Sequence, residues 1–409
     1  MRIRHDPPAH LTYCLNVHPG ETWDQNLQAI RDHALRVRDR VGAGKPFGLG
    51  LRLGDEASRT LADPKTLEAF RGFLVSENLY AFTVNGFPFG VFHGQSVKEN
   101  VYAPDWRTEQ RRDYTIRLAD ILAAILPPGV AGSISTVPGS YAAWIDTTDD
   151  VRRMVRMLAE VAVHLAGIAE RTGRDICIGL EPEPDCFLQS TADCLRFFEE
   201  WTDSAAEMIA EIDGVSVERG REIWRRHIGV CFDTAHAAVQ FEDLPDSLDL
   251  LAAAGIRIAK VQLSAALQLR PAPGTLARLA EFADPVYLHQ VKARRPGGRI
   301  DSFPDLPAAL SAGGEGAAAW DQWRVHFHVP LFFSAHEGLE STSALLAGPF
   351  LEKAASLCGH LEIETYTFSV LPAFLAIADP ADGIAREYEW VLGHGVGGRS
   401  PRPRGPGAK

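Results

Sequence analysis

The sequence predicts an α/β protein folded as a closed (β/α)8 TIM barrel. Three observations carry this reading: eight short apolar runs, amphipathic segments between them, and polar residues where the runs stop. Strand–helix alternation implies a parallel sheet covered by helices. Eight such repeats are the number that closes a barrel. An open doubly wound sheet is the alternative. It is disfavoured because no G-x-G-x-x-G follows the first run, and GAGKP (42–46) lacks P-loop spacing.

The candidate strands, in order, are LTYCLNV (11–17), FGLGLRL (47–53), LYAFTVN (79–85), SISTV (133–137), ICIGLE (176–181), IGVCFD (228–233), IAKVQLS (258–264) and LEIETYTF (361–368). Each is too short for a stable helix and suits a buried strand. Helical periodicity falls near 21–41, 64–77, 108–125, 147–172, 190–223, 244–254 and 338–358. Two insertions interrupt the alternation. An aromatic-rich loop, 86–107, follows strand three, and a longer one, 265–335, lies between strands seven and eight. The second holds two further strand-like runs, VYLHQVKA (286–293) and WRVHFHVPLFF (323–333). The expectation is one barrel domain over 1–394 and a disordered Gly-, Pro- and Arg-rich tail, 395–409.

A length of 409 residues with 46% hydrophobic content suffices for one large core. The net charge of −12 argues against a nucleic-acid partner, which would select a basic face. No signal-peptide pattern and no run of 18 uncharged apolar residues occurs, so a cytoplasmic chain without membrane insertion is expected. The six cysteines form no C-x-x-C pair and read as reduced core residues.

The strand ends carry the chemistry. Asn16 and His18 follow strand one, and Asn85 ends strand three. Glu181 and Glu183 follow strand five, Asp233 and His236 strand six. Lys260, Gln262 and Ser264 lie on strand seven, Glu362 and Glu364 on strand eight. A barrel gathers these ends on one rim. Buried carboxylates gathered there repel one another, and a divalent cation removes the conflict. Oxygen and imidazole donors suit Mn²⁺, Mg²⁺, Co²⁺ or Zn²⁺. Alternation puts Glu362 and Glu364 on one face of strand eight, towards the interior, and pairs His326 with His328 as metal-capable neighbours. Each residue also has a structural reading. Asp233 can cap the next helix, and Glu181 can be a loop carboxylate. His18, His93 and His289 can be hydrogen-bonded structural residues, and Lys98 with Glu99 a surface pair.

The motifs LE (180–181), CFDTAH (231–236) and IET (363–365) resemble the xylose-isomerase-like TIM barrel superfamily of sugar isomerases, epimerases and endonuclease IV-type enzymes. HLTYCLNVHPGETW (10–23), VNGFPFGVFHGQSVKENVYAPDW (84–106), VYLHQV (286–291), RVHFHVPLF (324–332) and HLEIETYTF (360–368) are similar to the bacterial metabolite-traffic EboE family, over residues 8–394. The superfamily resemblance implies Glu181, Asp233 and Glu364 as metal ligands, with His236 on substrate or a second metal. Gln262 stands where the epimerases carry a fourth ligand, a histidine. His289, His326 or His328 would complete the shell.

The expected function is therefore a metal-dependent isomerase or epimerase acting on a sugar- or polyol-like metabolite, with Glu181 and Glu364 as the catalytic base and acid. Substrate contacts are expected from His18, Asn85, His93, Lys98, Lys260, His326, His328 and Glu362. Two other readings stand beside it. One is a non-catalytic carrier linked to export of a metabolite precursor through a membrane-protein partner. The other is a metal-dependent phosphoester hydrolase. A homodimer is also an expectation.

Overall fold

Strand pairing closes a ring. The computed structural model describes residues 1–42, 44–90, 98–283 and 287–395. Eight strands precede the large insertion: β1 (Arg2–His5), β2 (Pro8–Tyr13), β3 (Phe47–Arg52), β4 (Leu79–Asn85), β5 (Gly132–Thr136), β6 (Ile176–Leu180), β7 (Ile228–Asp233) and β8 (Arg257–Leu263). The insertion holds β9 (Ala265–Leu269), β10 (Val291–Arg294), β11 (Ile300–Phe303), β12 (Gln322–Val329), β13 (Ala335–His336) and β14 (Leu339–Ser341), and β15 (His360–Ile363) follows. The main sheet runs β1-β2-β15-β8-β7-β6-β5-β4-β3. Only β1 is antiparallel to its neighbour; the rest are parallel.

The ring shuts between β2 and β3. A parallel bridge joins Cys14 to Gly50, and the Thr12 hydroxyl donates to the Gly48 carbonyl at 2.9 Å. Glycine is required at position 50: a Cβ there would lie 1.9 Å from Glu362 Oε1 and 2.8 Å from the Tyr13 carbonyl. The barrel is thus β2 to β8 plus β15, the (β/α)8 arrangement the alternation predicts.

Helices between the strands start and stop on local signals. Helix Thr148–Thr172 opens on a capping box formed by Thr147 and Asp150, and ends at Gly173 with φ 70°. One predicted helix fails. Residues 338–358 form β14, a 3-10 turn and only then helix Pro349–Leu357. Glu337 and Gly338, both at positive φ, turn the chain back so that β13 and β14 pair, and Gly348, also at positive φ, delays the helix. The last barrel strand is shorter than predicted, because the chain leaves the sheet after Ile363 and forms a 3-10 turn at Tyr366–Ser369. Helix Pro380–Gly393 has no counterpart in the sequence reading.

The insertion forms a second, antiparallel sheet, β11-β10-β12-β9-β14-β13. It is tied to the loop after β6 by Lys292, whose ammonium meets Asp185 at 2.7 Å, and by Gln290, which donates to the Pro184 carbonyl at 3.1 Å. These contacts bring β12, with its two histidines, to the C-terminal rim. The loop after β4 is fixed by buried Arg111, which donates to the carbonyls of Gly86, Phe87 and Pro104. No described helix is long and apolar enough to cross a membrane. All six cysteines are free and buried. His93 and the tail from 396 lie outside the described residues.

Candidate metal centre

Six side chains from four parts of the chain meet at the rim: Glu181, Asp233, His236, His326, His328 and Glu364. They form three overlapping triads, Glu181–Asp233–His236, Asp233–His328–Glu364 and His236–His326–His328. Within each triad the donor atoms lie within 4.8 Å of one another. All six residues are buried.

Asp233 ends β7 and caps the helix Thr234–Val239. Its Oδ1 accepts from the amides of Ala235 (2.8 Å) and His236 (2.9 Å) and from the Ser264 hydroxyl (2.8 Å). Among the described residues its Oδ2 has no partner. The capping reading and the ligand reading are therefore both available to one carboxylate, one oxygen for each. Glu181 likewise keeps Oε2 without a partner. Glu364 Oε1 accepts from the amides of Asn16 (2.8 Å) and Asn85 (3.1 Å).

The three histidines are oriented in the same way. Nδ1 of His236 is 2.9 Å from the Pro182 carbonyl, and Nδ1 of His328 is 2.8 Å from the Glu364 carbonyl. Nδ1 of His326 is 2.7 Å from the Gln290 side-chain oxygen, whose own nitrogen donates to Pro184. A carbonyl beside Nδ1 requires the proton there, so in the neutral ring it is Nε2 that presents a lone pair. The Nε2 atoms of His326 and His328 are buried without a partner. Burial holds His326 well below the usual imidazole range and His328 at about 4, so both are neutral, the form that binds metals.

The electrostatics point the same way. Burial, then the charge of Asp233, holds Glu181 well above the usual carboxylate range. Burial, then Glu181 and Asp233, does the same to Glu364. Burial also opposes ionisation of Asp233, but the neighbouring His236 and His328 rings, the His236 amide and the Ser264 hydroxyl outweigh it and hold that carboxyl low. Two like unit charges about 4 Å apart repel by roughly 4 kcal/mol at an effective dielectric of about 20. A bound divalent cation removes this repulsion and fills the unpartnered positions, so the donor set fits the ion.

The structure does not bring every sequence candidate here. His289 stands behind β12, with Nδ1 at 3.0 Å from the His326 carbonyl, and belongs to none of the triads. Gln262, opposite Asp233 in the strand register, is buried outside the cavity lining; its Oε1 accepts from Cys231 and its Nε2 has no partner among the described residues. Lys260 and Glu362 are ion-paired inside the barrel and completely buried, away from the cavity mouth. His18 packs on His33 and meets the Tyr13 hydroxyl at 3.0 Å. Lys98 lines the cavity at its edge and pairs with Asp305 at 2.6 Å. Asn85 lines it too, as a donor to Glu364.

A cavity of about 560 Å³, its open mouth included, lies over the centre. Sequence reasoning did not single out Tyr287, Gln290 or Tyr366. Tyr366 and Tyr287 line the cavity, and Gln290 orients His326. Tyr366 follows Glu364 by two residues, and that spacing alone would have marked it as a rim neighbour.

No protein-family model matches the chain, and no curated protein matches it. Among solved structures, it is similar to the probable 3-DHS dehydratase AsbF involved in petrobactin synthesis from Bacillus anthracis (10% identity, 93% of this chain and 97% of that one, TM-score 0.47). It is also similar to the IolI protein, solved with a bound zinc atom (13% identity, 94% and 98%, TM-score 0.44). A third is the 3-keto-D-glucoside 4-epimerase YcjR from E. coli (12% identity, 94% and 98%, TM-score 0.42). These values describe a loose likeness, and the barrel stands on the chain's own strand pairing.

Proposed function

We propose that this chain is a divalent-metal-dependent enzyme of small-molecule metabolism, isomerase- or epimerase-like, acting on an oxygen-rich metabolite. The observation that carries the reading is the set of buried donor atoms without partners on Glu181, Asp233, His326 and His328, facing one cluster. Asp233, His236, His328 and Glu364 would hold the ion, with Glu181 and His326 at its edges. The ion, when bound, supplies Lewis-acid polarisation of a substrate oxygen.

The chain's own residues do the rest. Glu181 and Glu364 both line the cavity, and each can take or return a proton at a carbon held between them. Asn16 and Asn85 donate to Glu364 Oε1, which fixes that carboxyl and leaves its other oxygen to face the ion and the substrate. Motif similarity to the EboE family supports a place in metabolite processing or traffic. We infer a cytoplasmic location, a small-molecule rather than nucleic-acid partner, and any export step in a separate membrane protein.

Metal content of the purified protein, before and after incubation with Mn²⁺, Co²⁺ or Zn²⁺, tests the centre. About one ion or more per chain, lost in Asp233→Asn, is expected. No ion under any condition overturns the metal-enzyme reading. Turnover is then sought as exchange of substrate carbon-bound hydrogen in D₂O. Exchange that persists in both Glu181→Gln and Glu364→Gln would refute their proton-carrying role.

A further inference from the structure

We infer that the ligand of this cavity is bipartite, with an oxygen-bearing head at the metal centre and an apolar or aromatic group filling the mouth. This deepens the proposed function and rests on it. Most of the cavity's charged and amide groups sit at the strand ends, at Asn16, Asn85, Glu181, His236 and Glu364, with Glu183 and His326 beside them. Beyond them the lining changes character. Among the described residues, Phe87, Pro88, Val101 and Leu288 offer no side-chain hydrogen bond, the hydroxyl of Tyr102 is committed to Glu183 at 2.8 Å and the Lys98 ammonium to Asp305 at 2.6 Å, and Tyr287 and Tyr366 add two rings with one hydroxyl each.

These apolar groups are held in place. Arg111 pins the Phe87 carbonyl, and the Phe87 ring meets Tyr102 edge-on at 5.9 Å. Tyr287 meets Tyr366 edge-on at 5.2 Å and packs against Val101. The collar therefore joins the loop after β4, the inserted sheet's leading segment and the turn after β15. A free sugar or polyol carries hydroxyls all round, and burying them against such walls without partners is costly. A molecule with its oxygens at one end and hydrocarbon at the other meets the polar floor and the apolar collar together.

The test uses full-length, cobalt(II)-loaded protein and three probes, titrated calorimetrically. Acetohydroxamate supplies a chelating head alone, 4-phenylbutyrohydroxamate the same head with an aromatic tail, and 4-phenylbutyramide the tail without the chelator. Burying about 60 Å² of tail surface corresponds to roughly tenfold in affinity. The tailed hydroxamate is therefore expected to bind at least about tenfold tighter than either other probe. Phe87→Ala and Val101→Ala should each reduce the ratio between the two hydroxamates. Equal affinity of the two hydroxamates overturns the bipartite ligand and leaves the metal centre standing. Equal affinity of the tailed hydroxamate and the amide overturns the placing of the head. Failure to take up cobalt sinks the metal reading itself, and the head's site with it.

Discussion

Glu362 and Glu364 lie two residues apart at the end of one strand, both buried, and their surroundings are opposite. Glu362 points into the barrel, where Lys260 from β8 pairs with it and Thr83 of β4 contacts the ammonium at 3.3 Å. There the charges match one to one. Burial opposes the charge of each partner; Glu362 outweighs this for Lys260, which stays protonated. Glu364, one step up, meets two side-chain amides, and its neighbours Glu181 and Asp233 are carboxylates. A buried acid beside its counter-ion is a structural element. A buried acid among other acids and imidazoles has no side-chain counter-ion among the described residues, and a bound divalent ion would supply one.

The largest effect is expected inside the barrel. Lys260→Met leaves Glu362 buried without its partner and should cost about 3–5 kcal/mol in chemical denaturation. Lys260→Met combined with Glu362→Gln should recover a large part of that loss. A single substitution that is tolerated at no cost would break the distinction drawn here.

Next comes the acid response of the opposite, N-terminal end. Burial, reinforced by His10, pushes His360 down to about 3. The unfolded chain protonates this imidazole near its ordinary value and the fold does not, so stability falls as the pH drops below about 6.5. One such group costs roughly 2 kcal/mol between pH 6.5 and pH 5. His360→Gln should flatten the fall in melting temperature over that window. An unchanged slope would remove His360 from the acid response.

The smallest effect on stability is expected at the rim, although the effect on metal is large. Asp233→Asn keeps an acceptor for the helix cap and removes a charge that Glu181 and Glu364 oppose. Metal-free stability should change by less than about 1 kcal/mol, and in either direction. Metal uptake should be lost. His328→Ala should likewise weaken metal binding by about tenfold or more, whereas His289→Phe, which keeps a ring behind β12, should retain bound metal. Parallel loss in His289→Phe would show that backing His326 matters as much as ligation.

Much of this arrangement was legible in the chain. β4 and β7 fall where the apolar runs predict, and β3, β5, β6 and β8 lie within one residue of them, because a strand buried on both faces must be continuously apolar. The rim position of Asp233 follows from its place at the end of its run, whereas Glu364 reaches the rim because the chain leaves the sheet after Ile363. The inward face shared by Glu362 and Glu364 follows from the period of two. Local signals also explain the failure at 338–358, where residues with positive φ defeat a helical pattern.

Tertiary structure alone decided which histidines count. His289, His326 and His328 lie on one insertion, and the period of two pairs His326 with His328 without saying where either points. Pairing of β12 with β10 and β9 turns His326 and His328 to the centre and leaves His289 behind them. The same holds for Lys260, which reads as a strand-end group but sits inside the barrel, matched by Glu362. A sequence states what each side chain is and which face of its strand it takes. How deep it lies, and which charge stands opposite, depends on strands far apart in the chain, and that depth separates a structural ion pair from a metal centre.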